Sequence, residues 1–293
     1  MSQDRKTMIS VTQLTKRFKE FTAVNQLSFE MQPGDIVGFL GPNGAGKSTT
    51  MKMLTGFLAP SSGEIKIDGL ELAKHSKAIQ AKIGYLPEGA PSYGDMTVIQ
   101  FLNFVAKIRN VDSKFRHQRI ADVVQQLALE KVLNKPIENL SKGFKRRVGL
   151  AQAIVHDPQI LILDEPTTGL DPNQLIEIRQ LIKNVGKEKT VLLSTHIMQE
   201  VDAICDRVLM LRQGKLVLDA HLAQLRQSRT LQLRTNADID ALPDYKPDVI
   251  FVTVKANVLP LIASAVYHRA DWTSERPRRR FDELFAFPCW FPD

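Results

Sequence analysis

Only two cysteines, Cys205 and Cys289, occur in the 293 residues. They stand far apart and fit no CxxC spacing. That argues against a disulfide framework and for two unpaired thiols in a reducing compartment. No apolar run approaches the ~20 residues that a membrane-spanning helix requires. VLPLIASAVY, from Val258, is among the longest and far too short. The opening MSQDRKTMIS lacks the apolar centre of a secretory signal. The expectation is a protein kept in the cytosol. No internal repeat or low-complexity tract is visible.

The balance of charge is positive, at +7 with a pI near 9.4. The cations cluster at residues 16–19, 142–147 and 276–280. They are not interleaved with aromatic residues as in a base-stacking surface, so no nucleic-acid partner is expected. With 43% apolar and 24% charged residues, the chain suits one large core, or a domain with an appendage.

Residues 8–220 alternate strand-like and helix-like text. Residues 36–40, 160–163 and 191–194 are short runs of Ile, Leu and Val, as in strands buried on both faces. Val98, Phe101, Leu102, Val105 and Ile108 recur at helical spacing. So do Leu175, Ile178, Ile182 and Val185, in a helix with Asp171 as N-cap and Pro172 at its first position. Two short β elements flank this layer: residues 64–68, and a hairpin of 207–211 and 216–219 joined through Gln213-Gly214. The expectation is an α/β domain with a mainly parallel sheet. Residues 221–293 read as a small α+β appendage. It has strands at 231–233 and 249–254, a loop at 238–248, and helices at 258–268 and 281–287. The final PCWFPD either docks or hangs loose.

GPNGAGKST matches G-x-x-x-x-G-K-[ST] and sits between a strand and a helix-like run. Its residues are Gly41, Pro42, Asn43, Gly44, Ala45, Gly46, Lys47, Ser48 and Thr49. The glycines let successive N–H groups point into one concavity, and the helix start adds positive potential. Lys47 supplies a charge for β- and γ-phosphates, and the Ser48 hydroxyl can hold Mg²⁺. Further on, QILILDEP drives a strand into the core and then releases two carboxylates at its C-terminal end. In an open parallel sheet that edge is where ligands sit. Asp164 is placed to hold Mg²⁺, and Glu165 to orient or deprotonate an attacking water.

These motifs, in this order, resemble the ATP-binding subunit of an ABC transporter over residues 8–219. The resemblance implies a P-loop NTPase core with a flanking antiparallel β subdomain and a helical subdomain at about 90–155. It implies Phe18 as the aromatic that stacks on adenine. LSKGF, residues 140–144, is similar to the family's LSGGQ turn; its Ser141 and Gly143 would face the nucleotide of a second copy. Asp171, in GLDP, would face that copy too. His196, in STH, would contact the γ-phosphate.

NLSKGFKRRVGLAQAI, from Asn139, carries four cations near its start. Lys145, Arg146 and Arg147 read as solvated, facing lipid headgroups or a partner. Two departures stand out against the family pattern. In the LSKGF turn Lys142 replaces a glycine and Phe144 a polar residue, and Glu88, in YLPEG, replaces the usual glutamine and could serve as a metal ligand. With the C-terminal region, they resemble the branch serving drug, polysaccharide and gliding-motility export. The implied cofactors are ATP and Mg²⁺. The implied partners are a second, identical ATP-binding subunit and a separate transmembrane permease, which would hold the protein on the inner face of the membrane. The segment 88–95 would act as a lever toward that permease. Two alternatives stay open: a soluble ATPase of the same type acting on ribosomes, DNA or cofactor assembly, and a slow nucleotide sensor.

Overall fold

The computed structural model describes residues 7–89, 93–226, 231–233 and 250–252. The chain divides into two units, Met1–Leu222 and Ala223–Asp293.

The first unit holds two sheets. β1 (Ile9–Phe18), β2 (Phe21–Met31), β4 (Ser62–Ile67) and β5 (Leu70–Glu71) form an antiparallel sheet in the order β2-β1-β4-β5. The larger sheet uses β3 (Ile36–Leu40), β6 (Ile83–Leu86), β7 (Ile160–Asp164), β8 (Thr190–Thr195), β9 (Arg207–Arg212) and β10 (Lys215–His221). Its order is β10-β9-β3-β8-β7-β6, and every neighbouring pair but β10 with β9 is parallel. Every residue of β7 and β8 is buried, in keeping with the apolar runs ILIL and VLL that make up their centres.

The core lies between the two sheets. Ile9, Leu14, Leu27 and Met31 of the antiparallel sheet share it with Phe39, Ile162, Leu192 and Leu209 of the parallel one. Met51, Met53 and Leu54 of α1 (Lys47–Leu54) join them. The rings of Phe29 and Phe39 meet across the layers at 5.7 Å. Each such side chain contributes about 1.5–3 kcal/mol by leaving water.

Four helices separate β5 from β7: α2 (Leu72–Lys82), α3 (Val98–Ile108), α4 (Ser113–Gln126) and α5 (Lys142–Ile154). A capping box opens α3, in which Thr97 and Gln100 exchange side-chain and backbone hydrogen bonds. Its buried stripe is Val98, Phe101, Leu102 and Ala106, while Ile108 is 60% exposed. Ala106 completes the stripe in place of the expected Ile108, which two positions further on points to the other side of the helix. α5 rests directly on β6. A Cβ on Gly84 would stand 2.1 Å from the Ala153 carbonyl oxygen, so only glycine permits that approach.

α6 (Pro172–Gly186) begins as its text predicts, with the Asp171 carboxylate accepting from the Gln174 N–H and Pro172 following. α7 (Met198–Ile204) follows β8. The hairpin expected to flank the sheet is instead half inside it. β9 pairs in parallel with β3 from Val37↔Arg207 to Leu40↔Met210, and only β10 lies at the edge. α8 (Leu222–Arg226) follows β10.

In the second unit, β11 (Leu231–Leu233) pairs in parallel with β12 (Ile250–Val252). The remaining elements expected between 234 and 293 lie outside the described residues, as does Cys289. Cys205 is a buried free thiol. Among the described residues, no helix is long and apolar enough to cross a membrane.

His156 follows α5 and is held neutral by its surroundings. Its Nε2 donates to the Ile83 carbonyl at 3.1 Å, while Nδ1 is buried with no hydrogen-bond partner. Burial, reinforced by the charge of Arg109, lowers its pKa to about 4. Protonation would put a donor where nothing accepts it. The folded pKa lies below the unfolded value, so the contribution is complete above pH 6.5 and is lost as pH falls toward 4. The difference is worth roughly 3 kcal/mol. Urea unfolding at pH 7.5, 6 and 5 is expected to show a steeper acid loss for the wild type than for His156→Gln.

Candidate active site

The parallel register brings three strand ends to one edge. Leu40 is opposite Thr195, and Asp164 is opposite Ser194. The loop after β3, the carboxylates at the end of β7 and the polar end of β8 therefore converge.

The loop turns through Gly44 (φ 78°) and Gly46 (φ 102°) into α1. At Gly46 a Cβ would lie 2.6 Å from the Ala23 carbonyl oxygen, so both space and dihedral demand glycine. The first intrahelical bond runs from the Thr50 N–H to the Gly46 carbonyl. The N–H groups of Lys47, Ser48 and Thr49 thus form the open first turn of the helix, suited to an anion. The Lys47 ammonium is buried and donates to the carbonyls of Gly41 (2.7 Å) and Pro42 (3.2 Å). It lies 3.6 Å from Glu165 Oε1.

Asp164 is buried and accepts from two hydroxyls at Oδ1, Ser48 at 3.1 Å and Ser194 at 2.5 Å. Ser48 and Asp164 thereby offer adjoining hard oxygen donors. Magnesium commonly binds through one or two protein oxygens together with substrate phosphates, so this pair fits it.

Glu165 is also buried and adopts a left-handed backbone (φ 48°), rare for a residue with a side chain. Its carboxylate receives the Thr168 hydroxyl at 2.9 Å and lies 3.0 Å from His196 Nδ1. Its N–H donates to Ser194 Oγ at 2.9 Å, and its carbonyl accepts from Arg146 Nη2 at 2.8 Å.

A model of the ABC transporter family matches residues 24–168. The ABC transporter ATP-binding protein YxlF of Bacillus subtilis (strain 168), itself uncharacterized, is 35% identical over 228 residues, covering 78% of this chain and 76% of the relative. This chain belongs to the ABC transporter family, as one of its ATP-hydrolysing subunits. The bacitracin transport ATP-binding protein BcrA of Bacillus licheniformis is 38% identical over 223 residues, or 75% of this chain and 72% of the relative. The dimeric structure of a bacterial ABC transporter cassette superposes with a TM-score of 0.68 at 25% identity, covering 73% of this chain and 99% of that one.

Within this family member, the other expected residues fall in distinct places. Phe18 is 46% exposed at the end of β1, with the Lys16 ammonium 5.2 Å from its ring centre. Ser141 is exposed and caps α5, accepting from the Phe144 N–H at 3.4 Å. Gly143 is buried beneath Gln174, whose Cδ lies 2.8 Å from where a Cβ would stand. Asp171 is exposed and occupied in capping α6. Glu88 has an exposed side chain, and its tie to the site runs through its carbonyl, which accepts from Arg146 at 2.9 Å. Nearby, Tyr85 has its pKa pushed up to about 12 by burial, with the charges of Asp164 and Glu88 adding to it.

One expectation is overturned. Arg146, read as solvated with its neighbours, is buried and hydrogen-bonded to main-chain carbonyls. Arg147 is also engaged, with the Leu127 carbonyl and Glu177, and it lies over the Phe144 ring. The helical period explains this: Arg146 shares a face of α5 with the buried Gly143 and Leu150.

Ser194 and Thr168 were not singled out in the sequence. The signal for Ser194 was a hydroxyl ending an apolar strand, directly before Thr195 and His196. Ser194→Ala removes the group that joins Asp164 to the Glu165 N–H and leaves that N–H buried. We expect a stability loss of about 1–3 kcal/mol by urea titration. Steady-state phosphate release is expected to fall about 10-fold or more.

Proposed function

We propose that this chain is the motor of an exporter, closing on ATP as a pair of identical subunits and opening after hydrolysis. The observation that carries the reading is the convergence of Lys47, Ser48, Asp164, Glu165 and His196 at one edge of the parallel sheet. A phosphate cradle, two carboxylates and a histidine within hydrogen-bonding range are what in-line cleavage of a γ-phosphate needs.

In this reading Phe18 stacks on adenine. Residues 41–49 wrap their N–H groups around the phosphates, and Lys47 leaves its own loop carbonyls for the β- and γ-phosphate oxygens. Ser48 and Asp164 would hold a magnesium ion, with Glu88 as a further candidate ligand. The ion supplies neutralisation of charge on the phosphate oxygens. Glu165 accepts the proton of the attacking water, and His196, already on that carboxylate, orients toward the γ-phosphate.

Ser141 and Gly143 would then sit over the nucleotide of the second copy, with Asp171 beside it. The N-terminal end of α5 supplies N–H donors there. Each nucleotide bridges two subunits, so ATP favours the closed pair by its contacts with both. That a similar cassette is dimeric supports the pairing.

A groove of about 500 Å³ lies between Lys52 and Phe57 on one side and Val105 and Arg109 on the other, with Tyr85, Pro87 and Gly89 between them. Phe57 is 72% exposed there. We assign this groove to a separate permease, which would hold the chain on the cytoplasmic face of the membrane and feel the segment 88–95 move. The likeness to a bacitracin transport protein supports a role in transport, and export is our reading of its direction.

Glu165→Gln keeps the shape of the site but removes the base. It is expected to cut phosphate release by about 100-fold or more. ATP should remain bound and should convert the chain to a dimer on sedimentation. A variant that turns over at the wild-type rate, or stays monomeric with ATP, would refute the reading. Lys47→Ala is expected to abolish retention of a fluorescent ATP analogue at concentrations that saturate the wild type.

A further inference from the structure

The buried guanidinium of Arg146 bridges two strand ends that belong to different parts of the site. It is carried by α5, yet Nη1 donates to the carbonyls of Pro87 (3.3 Å) and Glu88 (2.9 Å), and Nη2 to that of Glu165 (2.8 Å). Pro87 and Glu88 follow β6, whereas Glu165 follows β7. We propose that Arg146 is a positioning residue, fixing the Glu165 carboxylate for water activation by clamping the Glu165 peptide to the 87–88 turn. The proposal rests on Glu165 being the general base.

Three observations carry it. First, Arg146 is only 8% exposed. Burial lowers its pKa, and the charges of Glu88, Glu165 and Asp164 work the other way. A buried cation is tolerated when its donors are satisfied, and these donors are satisfied by the site itself.

Second, Glu165 holds a left-handed backbone that residues with side chains rarely adopt. Such a conformation persists only where the surroundings over-determine it. Here the peptide is held from both ends: Ser194 Oγ takes its N–H and Arg146 takes its carbonyl. Relaxation of φ toward ordinary values would swing the carboxylate away from Thr168 and His196.

Third, the guanidinium is planar and rigid, so its two arms cannot move independently. The 87–88 turn and the Glu165 peptide therefore share one position. Pro87 also lines the groove described above, so the lip of that groove and the catalytic carboxylate are joined through a single side chain. A lysine at this position retains the charge but, as a point donor, cannot span both segments.

The test uses the full-length chain carrying Arg146→Lys or Arg146→Gln, each alone and combined with Glu165→Gln. Phosphate release, affinity for a fluorescent ATP analogue and the melting temperature are measured. A displaced catalytic group costs about 100-fold. With either single variant, kcat is expected to fall about 10- to 100-fold, with KM and analogue affinity within about threefold. Melting is expected to fall by several degrees, because up to three buried hydrogen bonds are weakened, while the variants stay folded at the assay temperature. On the Glu165→Gln background, adding either Arg146 substitution is expected to change residual turnover by less than about twofold, because the two residues act as one unit. Unchanged kcat in a folded variant overturns the proposal. So does an equal fold-loss on both backgrounds, a KM rising in step with the loss of rate, or a failure of both variants to fold, which would make Arg146 a stability residue. Wild-type turnover in Glu165→Gln alone would instead remove the general-base reading beneath it.

Discussion

Strand register is the constraint on which the site depends. β3, β8 and β7 run side by side in parallel, with Leu40 level with Thr195 and Asp164 level with Ser194. Parallel neighbours end at the same edge, so chemistry encoded more than a hundred residues apart becomes contiguous there. A slip of one residue would turn every side chain of a strand to the other face. The unbroken burial of β7 and β8 does not by itself pin that register, since both faces are apolar. The polar ends help to pin it: Ser194 reaches the Asp164 carboxylate and the Glu165 N–H only in the observed alignment.

The charges at this edge are buried and mutually satisfied. Lys47 and Glu165 are almost wholly removed from water and lie 3.6 Å apart. Lys47 also rests on two carbonyls of its own loop, and Glu165 on Thr168 and His196. Breaking one member of such a buried set strands its partner, which costs more than the net worth of the pair. That expense is accepted because charges in a dry, preorganised site act more strongly on a developing charge than the same groups in water. The strained φ of Glu165 belongs to the same arrangement, held by contacts from β8, from α5 and from Thr168 in its own loop.

Much of this was legible in the text. GPNGAGKST has a spacing that few sequences share by chance, and its glycines are required by left-handed dihedrals and close backbone approach. ILIL and VLL read as buried strand text because their side chains are all apolar, with the polar groups confined to the ends. Asp171 and Pro172 announced a helix start by capping chemistry that operates locally. The errors had a common source. Arg146 sits in a run of cations, and composition alone made it a solvated residue. Its burial follows from which face of α5 meets β6 and the turns after β6 and β7. β9 looked like half of a flanking hairpin because hairpins are local, whereas its parallel pairing with β3 is made across about 170 residues.

Local text was enough to place the buried strands at 36–40, 160–163 and 191–194, the helices at 98–108 and from Pro172, the phosphate loop, and the carboxylates that end a buried strand. These rest on interactions between near neighbours in the chain: steric limits on dihedrals, helix caps, and the drive to bury apolar runs. Assembly of the sheet was needed before Ser194 could join Asp164 to Glu165, Thr168 and His196 share one carboxylate, and Arg146 tie the end of β6 to the end of β7. Those contacts form between elements whose order in the sheet differs from their order in the chain, and no local preference encodes that order.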